Sequence, residues 1–371
     1  MSTEGRFPPE PTTAAIVLSR QPLRPCGLTP WVTKVVEAAT WIRQQNLTLL
    51  SSLGMQTWEM ITAVGSRLNL RMKIYPDSSS ACPEFARKII SDFALTAETS
   101  LVPLPGVDAD TDEERHLRDQ VILSEADLLI PISIRSDGYM SRALAEQEQA
   151  GKKIVRQFDI GPPPRSSRLA YNLSQIRFNP GLDQMERNYL VHWTRATNSP
   201  WPDERPIDFY QSILESVRYP RTAFDTLCHI LETRVLRASS RHMPENTPTV
   251  SFTGLTAQEV LPLMRWRARY TQMSFEPYGL AIPIDLAKAS GICAVEYRDK
   301  KSGSESAVPA WLTQSIGLKS DWRQEKEYRH LGDLSLDLGD FATLVAFCLS
   351  PSEASTIAGR YGIRALPLSS G

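Results

Sequence analysis

Short apolar runs alternate with amphipathic stretches over the first half of the chain. Residues 14–18, 47–50 and 126–134 are predominantly apolar, as in parallel strands that are buried on both faces. Residues 30–44 carry apolar side chains at helical spacing and begin with proline, which the first turn of a helix tolerates. This alternation predicts the α/β class, with a Rossmann-like, open and mostly parallel sheet covered by helices on both faces.

Polar and small residues follow each of the predicted strands. In an open parallel sheet, ligands bind beyond the carboxyl ends of the strands, so we expect these residues to gather at one edge. The loop after the second strand leads into a helix and can present backbone amides to a phosphate, although a plain strand-to-helix turn explains it equally well. The expected ligand-binding residues of these loops are Ser19, Arg20, Ser52, Gly54, Arg135, Ser136 and Gly138.

The second half has a different pattern, with short strands and fewer helices. Residues 189–195 begin as a strand that contains His192, and residues 249–253 alternate so that Ser251 shares a face with Thr253. Residues 207–217 and 222–235 have helical spacing. We expect a mixed α+β domain here. His192 is either a cleft residue or a histidine packed beside a tryptophan.

A proline-rich segment separates the two halves. Residues 161–167 read GPPPRSS, a stiff and extended composition that is typical of a linker. The sequence therefore predicts a flexible tail (residues 1–13), a first domain (14–160), a linker (161–188) and a second domain (189–371).

Residues 261–273 combine arginine with aromatic residues and show helical spacing. A helix here either packs through its tryptophan and tyrosine or offers a surface on which a nucleobase stacks. The cations of this predicted helix are Arg265, Arg267 and Arg269.

Residues 321–330, DWRQEKEYRH, hold two alternating carboxylates. If the run is a strand, Glu325 and Glu327 point to the same face, and the pair is typical of a catalytic Glu-x-Glu. If it is a helix, Asp321, Glu325 and Arg329 lie one turn apart as a solvated stripe. The pattern alone leaves both interpretations open.

Composition narrows the class of protein. The 371 residues are 42% apolar and 22% charged, as in soluble globular proteins. A net charge of -1 argues against a protein that mainly coats nucleic acid. Five scattered cysteines argue against a zinc site or a disulfide framework, and we expect no metal. No apolar run approaches the ~20 residues that span a bilayer, and no secretion signal is evident, so a cytoplasmic location is expected.

The motifs of the first half resemble those of a known superfamily. They are Ser19-Arg20, Ser52-Leu53-Gly54, the predicted helix from Arg115 to Asp119, and the segment from Ala126 to Gly138. Residues 14–158 resemble the superfamily that joins cytokinin-activating phosphoribohydrolases, the DNA-processing protein family and SLOG sensor domains. The resemblance implies binding of a nucleotide or an ADP-ribose-like ligand, with Arg115 and Asp119 among the binding residues. The hydrolases carry Pro-Gly-Gly-x-Gly-Thr where this chain has RSDGY, which favours binding over hydrolysis.

Sheet proteins of this type often pair through a helix face, so a homo-oligomer is expected.

Two resemblances bear on the second half. Val250-Ser251-Phe252-Thr253, Tyr278-Gly279 and Trp322-x-x-Glu325-x-Glu327-Tyr328-Arg329 resemble an uncharacterised bacterial family without known chemistry. More faintly, the order of His192, Ser251-x-Thr253 and Glu325-x-Glu327 resembles ADP-ribosyltransferases. This second resemblance implies NAD as cofactor. Glu327 would be the catalytic residue at the nicotinamide–ribose bond, and Glu325 would activate the acceptor. His192 and Ser251 (or Tyr278) would position NAD.

These observations favour a bacterial stress or anti-phage defence type of protein. Its SLOG-like domain would bind a nucleotide or ADP-ribose-derived ligand, and its second domain would act on NAD or transfer ADP-ribose to a nucleic acid or protein acceptor. The alternative is a binding protein without catalysis, whose second domain engages nucleic acid or a protein through Arg265, Arg267 and Arg269. Hydrolysis of a nucleoside monophosphate by the first domain is disfavoured by the missing glycines.

Overall fold

A computed structural model describes residues 12–76, 82–104, 112–164, 171, 173, 177–182, 188–241, 243–267, 272–299, 308–316 and 322–370. The internal contacts divide the chain into two compact units. The first comprises Met1–Ser167 and Asn198–Pro220, and the second comprises Arg168–Thr197 and Arg221–Gly371. Residues 198–220 thus follow the predicted linker along the chain but pack with the first unit.

The first unit alternates strands with helices. Its strands are β1 (Thr13–Leu18), β2 (Thr48–Ser52), β3 (Met72–Tyr75), β4 (Thr99–Leu101), β5 (Leu128–Ser133) and β6 (Lys153–Ile154). Its helices are α1 (Pro30–Gln44), α2 (Gln56–Arg67), α3 (Pro83–Asp92), α4 (Asp112–Glu125), α5 (Tyr139–Gln149) and α6 (Pro206–Glu215).

Within the described residues these six strands form one sheet in the order β4-β3-β2-β1-β5-β6, and all of its pairs are parallel. The prediction of an open parallel Rossmann-like sheet is confirmed. Its central strands are apolar because helices cover both faces: residues 14–17 and 129–130 are fully buried. The strand order reverses between β1 and β5, and the crevice at such a switch point is where ligands bind in open α/β sheets.

Helix α6 belongs to the core of the first unit although the chain reaches it from the second. Phe209, Tyr210 and Ile213 are at most 2% exposed and join the first unit's apolar cluster. The Gly27 amide donates to the Ser216 carbonyl at 2.9 Å. A Cβ on Gly27 would lie 2.3 Å from the Leu214 carbonyl oxygen, so only glycine allows this close approach of two backbones.

The second unit is a mixed sheet domain. Its strands are β7 (Tyr189–Trp193), β8 (Val235–Leu236), β9 (Thr249–Thr253), β10 (Trp266–Arg267), β11 (Gln272–Met273), β12 (Gly279–Pro283), β13 (Cys293–Ala294), β14 (Glu296–Asp299), β15 (Thr313–Ile316), β16 (Glu327–Leu331), β17 (Leu334–Ser335), β18 (Val345–Cys348) and β19 (Arg364–Pro367). Its helices are α7 (Ala223–Thr233), α8 (Ala257–Val260), α9 (Ile284–Ala289) and α10 (Pro351–Tyr361). In the described part of the chain, seven strands form one sheet in the order β13-β16-β9-β7-β12-β18-β19. The predicted α+β class is confirmed.

Side chains of this sheet alternate between two apolar clusters. Leu190, Phe252 and Leu280 lie in the cluster that also contains α7 and α10. Val191 and Ala281 lie in the cluster on the other face. Alternation along each strand therefore fixes which face every functional side chain occupies.

Two local predictions were wrong. The described residues of the range 261–273 do not form a helix: a 3₁₀ turn at Leu261–Leu263 is followed by the antiparallel pair β10–β11, in which Trp266 lies opposite Met273. Pro262 has no amide to donate to a longer helix. Arg269 lies outside the described residues.

The Glu-x-Glu run is neither one strand nor one helix. A 3₁₀ turn, Trp322–Glu325, ends before β16 begins at Glu327. Lys326 between them has a positive φ of 45°, a left-handed conformation that interrupts both regular structures. Strained backbone of this kind is common at functional sites. Asp321 lies outside the described residues.

Candidate functional sites

The carboxyl ends of β1 and β5 bring together three of the residues expected to bind ligand. The Arg135 amide donates to Ser19 Oγ at 2.9 Å, and the Arg135 guanidinium donates to the Arg20 carbonyl at 3.0 Å. Ser19 is buried, while the side chains of Arg20 and Arg135 are exposed. The two arginines therefore place positive charge at the edge of the switch-point crevice.

Gln21 also lies at this edge, and the sequence offered no signal for it. It is only 5% exposed, and its Nε2 donates to the carbonyls of Ser19 (3.0 Å) and Ser133 (3.2 Å). Its Oε1 is buried and accepts no hydrogen bond from the residues that the structure describes. A buried acceptor without a donor costs about 1–3 kcal/mol, so a ligand that donates to it would gain that free energy.

The turn after β5 leads into α5. The Gly138 amide donates to the Arg135 carbonyl at 3.2 Å, and Gly138 directly precedes Tyr139, the first residue of α5. A Cβ on Gly138 would lie 3.4 Å from that carbonyl oxygen and 3.9 Å from Ser19 Oγ. Exposed Ser136 lies within the same turn. The amino terminus of α5, which favours anions, thus lies beside Ser19.

The loop between β2 and α2 is held by side chains of its own unit. Ser52 is fully buried and donates to the Tyr75 carbonyl at 2.6 Å, which makes it a structural link between strands. Gly54 has φ +80°, and its amide donates to Glu59 Oε1 at 3.1 Å. Glu59 Oε2 in turn accepts from the Tyr210 hydroxyl at 2.7 Å.

Helix α4 supports the same loop from another direction. Arg118 is buried and donates to the Leu53 carbonyl at 3.0 Å and to Asp119 Oδ1 at 3.2 Å. Asp119 also accepts from Trp58 Nε1 at 3.2 Å. Burial raises the pKa of Asp119, and the Arg118 charge opposes this shift. Asp119 thus supports the loop indirectly, through its hydrogen bonds with Arg118 and Trp58. Arg115 lies one turn earlier in α4 and is partly buried.

In the second unit, Glu327 lies in a hydrogen-bond network around the buried side chain of Arg329. Arg329 donates from Nε to Glu327 Oε1 (2.8 Å) and from Nη2 to Oε2 (3.0 Å). Ser251 Oγ donates to the same Oε1 at 3.0 Å. Arg329 is 3% exposed and also donates to the Trp311 carbonyl and to Gln314, both at 2.8 Å. The structure thus brings Ser251 and Glu327 together around one buried guanidinium.

Glu325 lies close to this network in a different environment. Burial is the main cause that raises its pKa to about 7, and the charge of Glu327 adds to the shift. Arg267 opposes it from 3.4 Å. A carboxyl group with such a pKa can hold or release a proton near neutral pH, which suits general acid–base chemistry.

Tyr297 also contacts this site, although the sequence did not indicate it. Its hydroxyl oxygen accepts from the Glu327 amide at 3.0 Å. Burial raises the pKa of this phenol, and the charges of Glu327 and Glu325 contribute. Only the fold reveals this residue, because 30 positions separate it from Glu327.

His192 lies on the opposite face of the sheet from Ser251 Oγ and Glu327. Val191 pairs with Thr253, so alternation places His192 with Phe252, and the two rings meet edge-on at 5.8 Å. His192 Nδ1 contacts the Ser251 carbonyl oxygen at 2.9 Å. Burial lowers the pKa of His192.

Tyr278 has a separate partner as well. It is 6% exposed, and its hydroxyl donates to Glu353 Oε1 on α10 at 3.0 Å. Burial raises the pKa of this phenol, with Glu353 as a further cause. Among the described hydrogen bonds, the His192 ring thus contacts only the backbone of Ser251, and the Tyr278 hydroxyl contacts Glu353 and not Glu327.

The residues that the structure describes contain no group of three or more histidine, cysteine, aspartate or glutamate side chains that could hold a metal ion. None of their helices has the length and apolar character needed to cross a membrane.

Comparisons with known proteins assign no family to the chain. No family model matches it, and no curated protein matches it. A solved structure of DNA processing protein A from Helicobacter pylori, described for its single-stranded DNA binding mode, is similar with a TM-score of 0.30 and 13% identity. The similarity covers 40% of this chain and 68% of that one.

Proposed function

We propose that the first unit binds a nucleotide-type small molecule at the carboxyl edge between β1 and β5. The observation that carries this proposal is Gln21, an amide that is 5% exposed and whose Oε1 accepts nothing from the described residues. It lies at the switch point of the parallel sheet, where ligands of such sheets bind. A nucleobase or a ribose supplies the hydrogen-bond donor that this oxygen lacks.

The charges at the same edge favour a ligand that also carries phosphate. Arg20 and Arg135 are exposed beside Ser19, and α5 begins at the following turn. Guanidinium groups bind phosphate oxygens through charge-assisted hydrogen bonds, and a helix amino terminus favours negative charge. Together with Gln21, this combination suits a molecule with a polar base or sugar and a phosphate, such as ADP-ribose.

The test is binding of ADP-ribose to the full chain, measured by calorimetry. The double variant Arg20→Ala/Arg135→Ala should bind about 100-fold more weakly, since each lost arginine–phosphate contact costs about tenfold. Arg43→Ala removes an exposed arginine from the last turn of α1, at the opposite edge of the sheet, and should leave the affinity unchanged. Equal affinities for the double variant and the wild type would exclude this site.

A second candidate function concerns the second unit: we propose that it cleaves the nicotinamide–ribose bond of NAD or transfers the ADP-ribose. The specific observation in its favour is the pair of carboxyl groups in unlike environments. Arg329 holds the Glu327 carboxylate through two hydrogen bonds of 2.8 and 3.0 Å, whereas burial raises the pKa of Glu325 to about 7.

The chemistry assigns each carboxyl group a role. Bond cleavage builds positive charge on the ribose, and the fixed carboxylate of Glu327 stabilises that charge. Glu325 takes the proton from the attacking water or acceptor. Ser251, which donates to Glu327, holds the carboxylate in place. His192 and Tyr278 have no step in this scheme, because their hydrogen bonds go to Ser251 O and Glu353.

Nicotinamide release from NAD, with and without added protein or nucleic acid acceptors, tests this second proposal. Glu327→Gln should slow release by about 100-fold or more, as expected when an electrostatic stabiliser is removed. Glu232→Gln, an exposed glutamate of α7, should retain the wild-type rate. If the wild type releases no nicotinamide, the second unit remains a binding domain.

In that alternative, Arg267 is a poor contact for a nucleic acid or protein partner, because its guanidinium already pairs with Glu325.

A further inference from the structure

One carboxylate connects the β2–α2 loop to helix α6. Glu59, in the first turn of α2, accepts from the Gly54 amide through Oε1 (3.1 Å) and from the Tyr210 hydroxyl through Oε2 (2.7 Å). Tyr210 is 2% exposed, and burial beside Glu59 raises the pKa of its phenol well above the usual range. A buried hydrogen bond to a carboxylate is strong, so the loop and the helix are firmly joined.

The loop end of this connection lies at the proposed ligand edge. Leu53, Gly54 and Met55 join the end of β2 to the start of α2, beside the end of β1. Arg118 holds Leu53 O and Met55 Sδ, while Glu59 holds the Gly54 amide. A change in the position of Gly54 therefore requires Glu59 to follow or to release its hydrogen bond.

The other end of the connection is continuous with the second unit. Helix α6 lies within residues 198–220, whose neighbours on both sides, Thr197 and Arg221, belong to the second unit. The Thr197 amide donates to the Arg221 carbonyl at 3.2 Å, so the inserted segment leaves and re-enters the second unit through adjacent residues. Helix α6 is therefore joined covalently to these two residues, through residues 198–205 and 216–220.

We propose that residues 198–220 report ligand occupancy of the first unit to the second, through the chain Gly54–Glu59–Tyr210. The proposal rests on the proposed ligand site of the first unit and adds its regulation. A ligand at the carboxyl edge fixes the β2–α2 loop, the loop fixes Glu59, and Glu59 stabilises the docked position of α6. Coupling of this kind requires the two hydrogen bonds of Glu59 to be present together.

Hydrogen exchange of the full chain, with and without saturating ADP-ribose, tests the proposal. In the wild type, ADP-ribose should slow exchange of the α6 amides by about tenfold, which corresponds to the loss or gain of one charged hydrogen bond. Tyr210→Phe retains the buried ring and removes the hydroxyl. This variant should still bind ADP-ribose, because the docked state remains dominant, but its α6 amides should no longer respond.

Two further variants separate the hydrogen-bond chain from general loosening. Glu59→Leu retains the approximate size of the side chain, has no atom that can hydrogen-bond to Gly54 or Tyr210, and should abolish the response as Tyr210→Phe does. Tyr75→Phe removes another tyrosine–glutamate hydrogen bond of the first unit, to Glu125, and should leave the response intact.

The outcomes distinguish the two proposals. If ADP-ribose binds and the exchange of α6 is unchanged, residues 198–220 do not report occupancy, although the ligand site stands. A response that persists in both Tyr210→Phe and Glu59→Leu also refutes the role of this chain. If ADP-ribose does not bind, the ligand site fails, and the inference that rests on it fails as well.

Discussion

Replacing Arg329 with alanine should destabilise the second unit by about 3–5 kcal/mol, the usual cost of removing one partner from a buried ion pair. The guanidinium is 3% exposed and bridges Glu327, Gln314 and the Trp311 carbonyl. Without it, the Glu327 carboxyl group lies next to Glu325 with no cation in bidentate contact. Arg329→Lys should recover little of the loss, because an ammonium cannot reproduce the planar two-point contact.

Hydrogen exchange in increasing urea, read at the amides of β9 and β16, measures this loss within the second unit. Arg360→Ala provides the comparison, since its ion pair with Glu232 is 59% and 42% exposed at the side chains. Exposed pairs contribute about 1 kcal/mol or less. Equal losses for the two variants would show that the Arg329 network does not stabilise the sheet.

Glu325→Gln should stabilise the protein progressively as the pH rises. Burial raises the pKa of Glu325 from 4.5 to about 7 in the folded chain, so between these values the folded state binds a proton that the unfolded state has released. The wild type therefore loses stability across this window, by about 3 kcal/mol in total. Glutamine has no proton to release, so the variant avoids the loss.

The relevant measurement is the difference in unfolding free energy between variant and wild type from about pH 4 to about pH 8. It should be close to zero at the acid end and largest at the alkaline end, while all other titrating groups cancel. A flat curve for Glu325→Gln would mean that its carboxyl group is solvated, and the acid–base role proposed for it would be withdrawn.

The sequence predicts the sheet of the first unit well, because strands that are buried on both faces consist of consecutive apolar residues. Residues 14–17 are all apolar, and all are fully buried in β1. The same reasoning could not assign α6. Phe209, Tyr210 and Ile213 predict an apolar helix face, but helical spacing does not say which core receives that face.

Some residues of the candidate sites can also be predicted from the sequence, and others cannot. Ser19 and Arg135 meet because parallel strands end at the same edge, and this can be deduced from strand order. Gln21 has no periodicity or motif that marks it, and its importance comes from one unpartnered oxygen. The sequence likewise does not indicate the left-handed backbone conformation of Lys326, which separates Glu325 from the strand, because lysine rarely adopts that conformation.

The path of residues 198–220 also has a consequence for synthesis of the protein. The amino terminus of a nascent chain leaves the ribosome first, so the first unit still lacks α6 when Ser167 emerges. Completion of its core must wait for about 50 further residues, among which β7 of the second unit has already been made. In a fragment that stops at the proline-rich segment, the apolar surface that packs against Phe209, Tyr210 and Ile213 would be exposed to water. Such a fragment should depend on chaperones or aggregate.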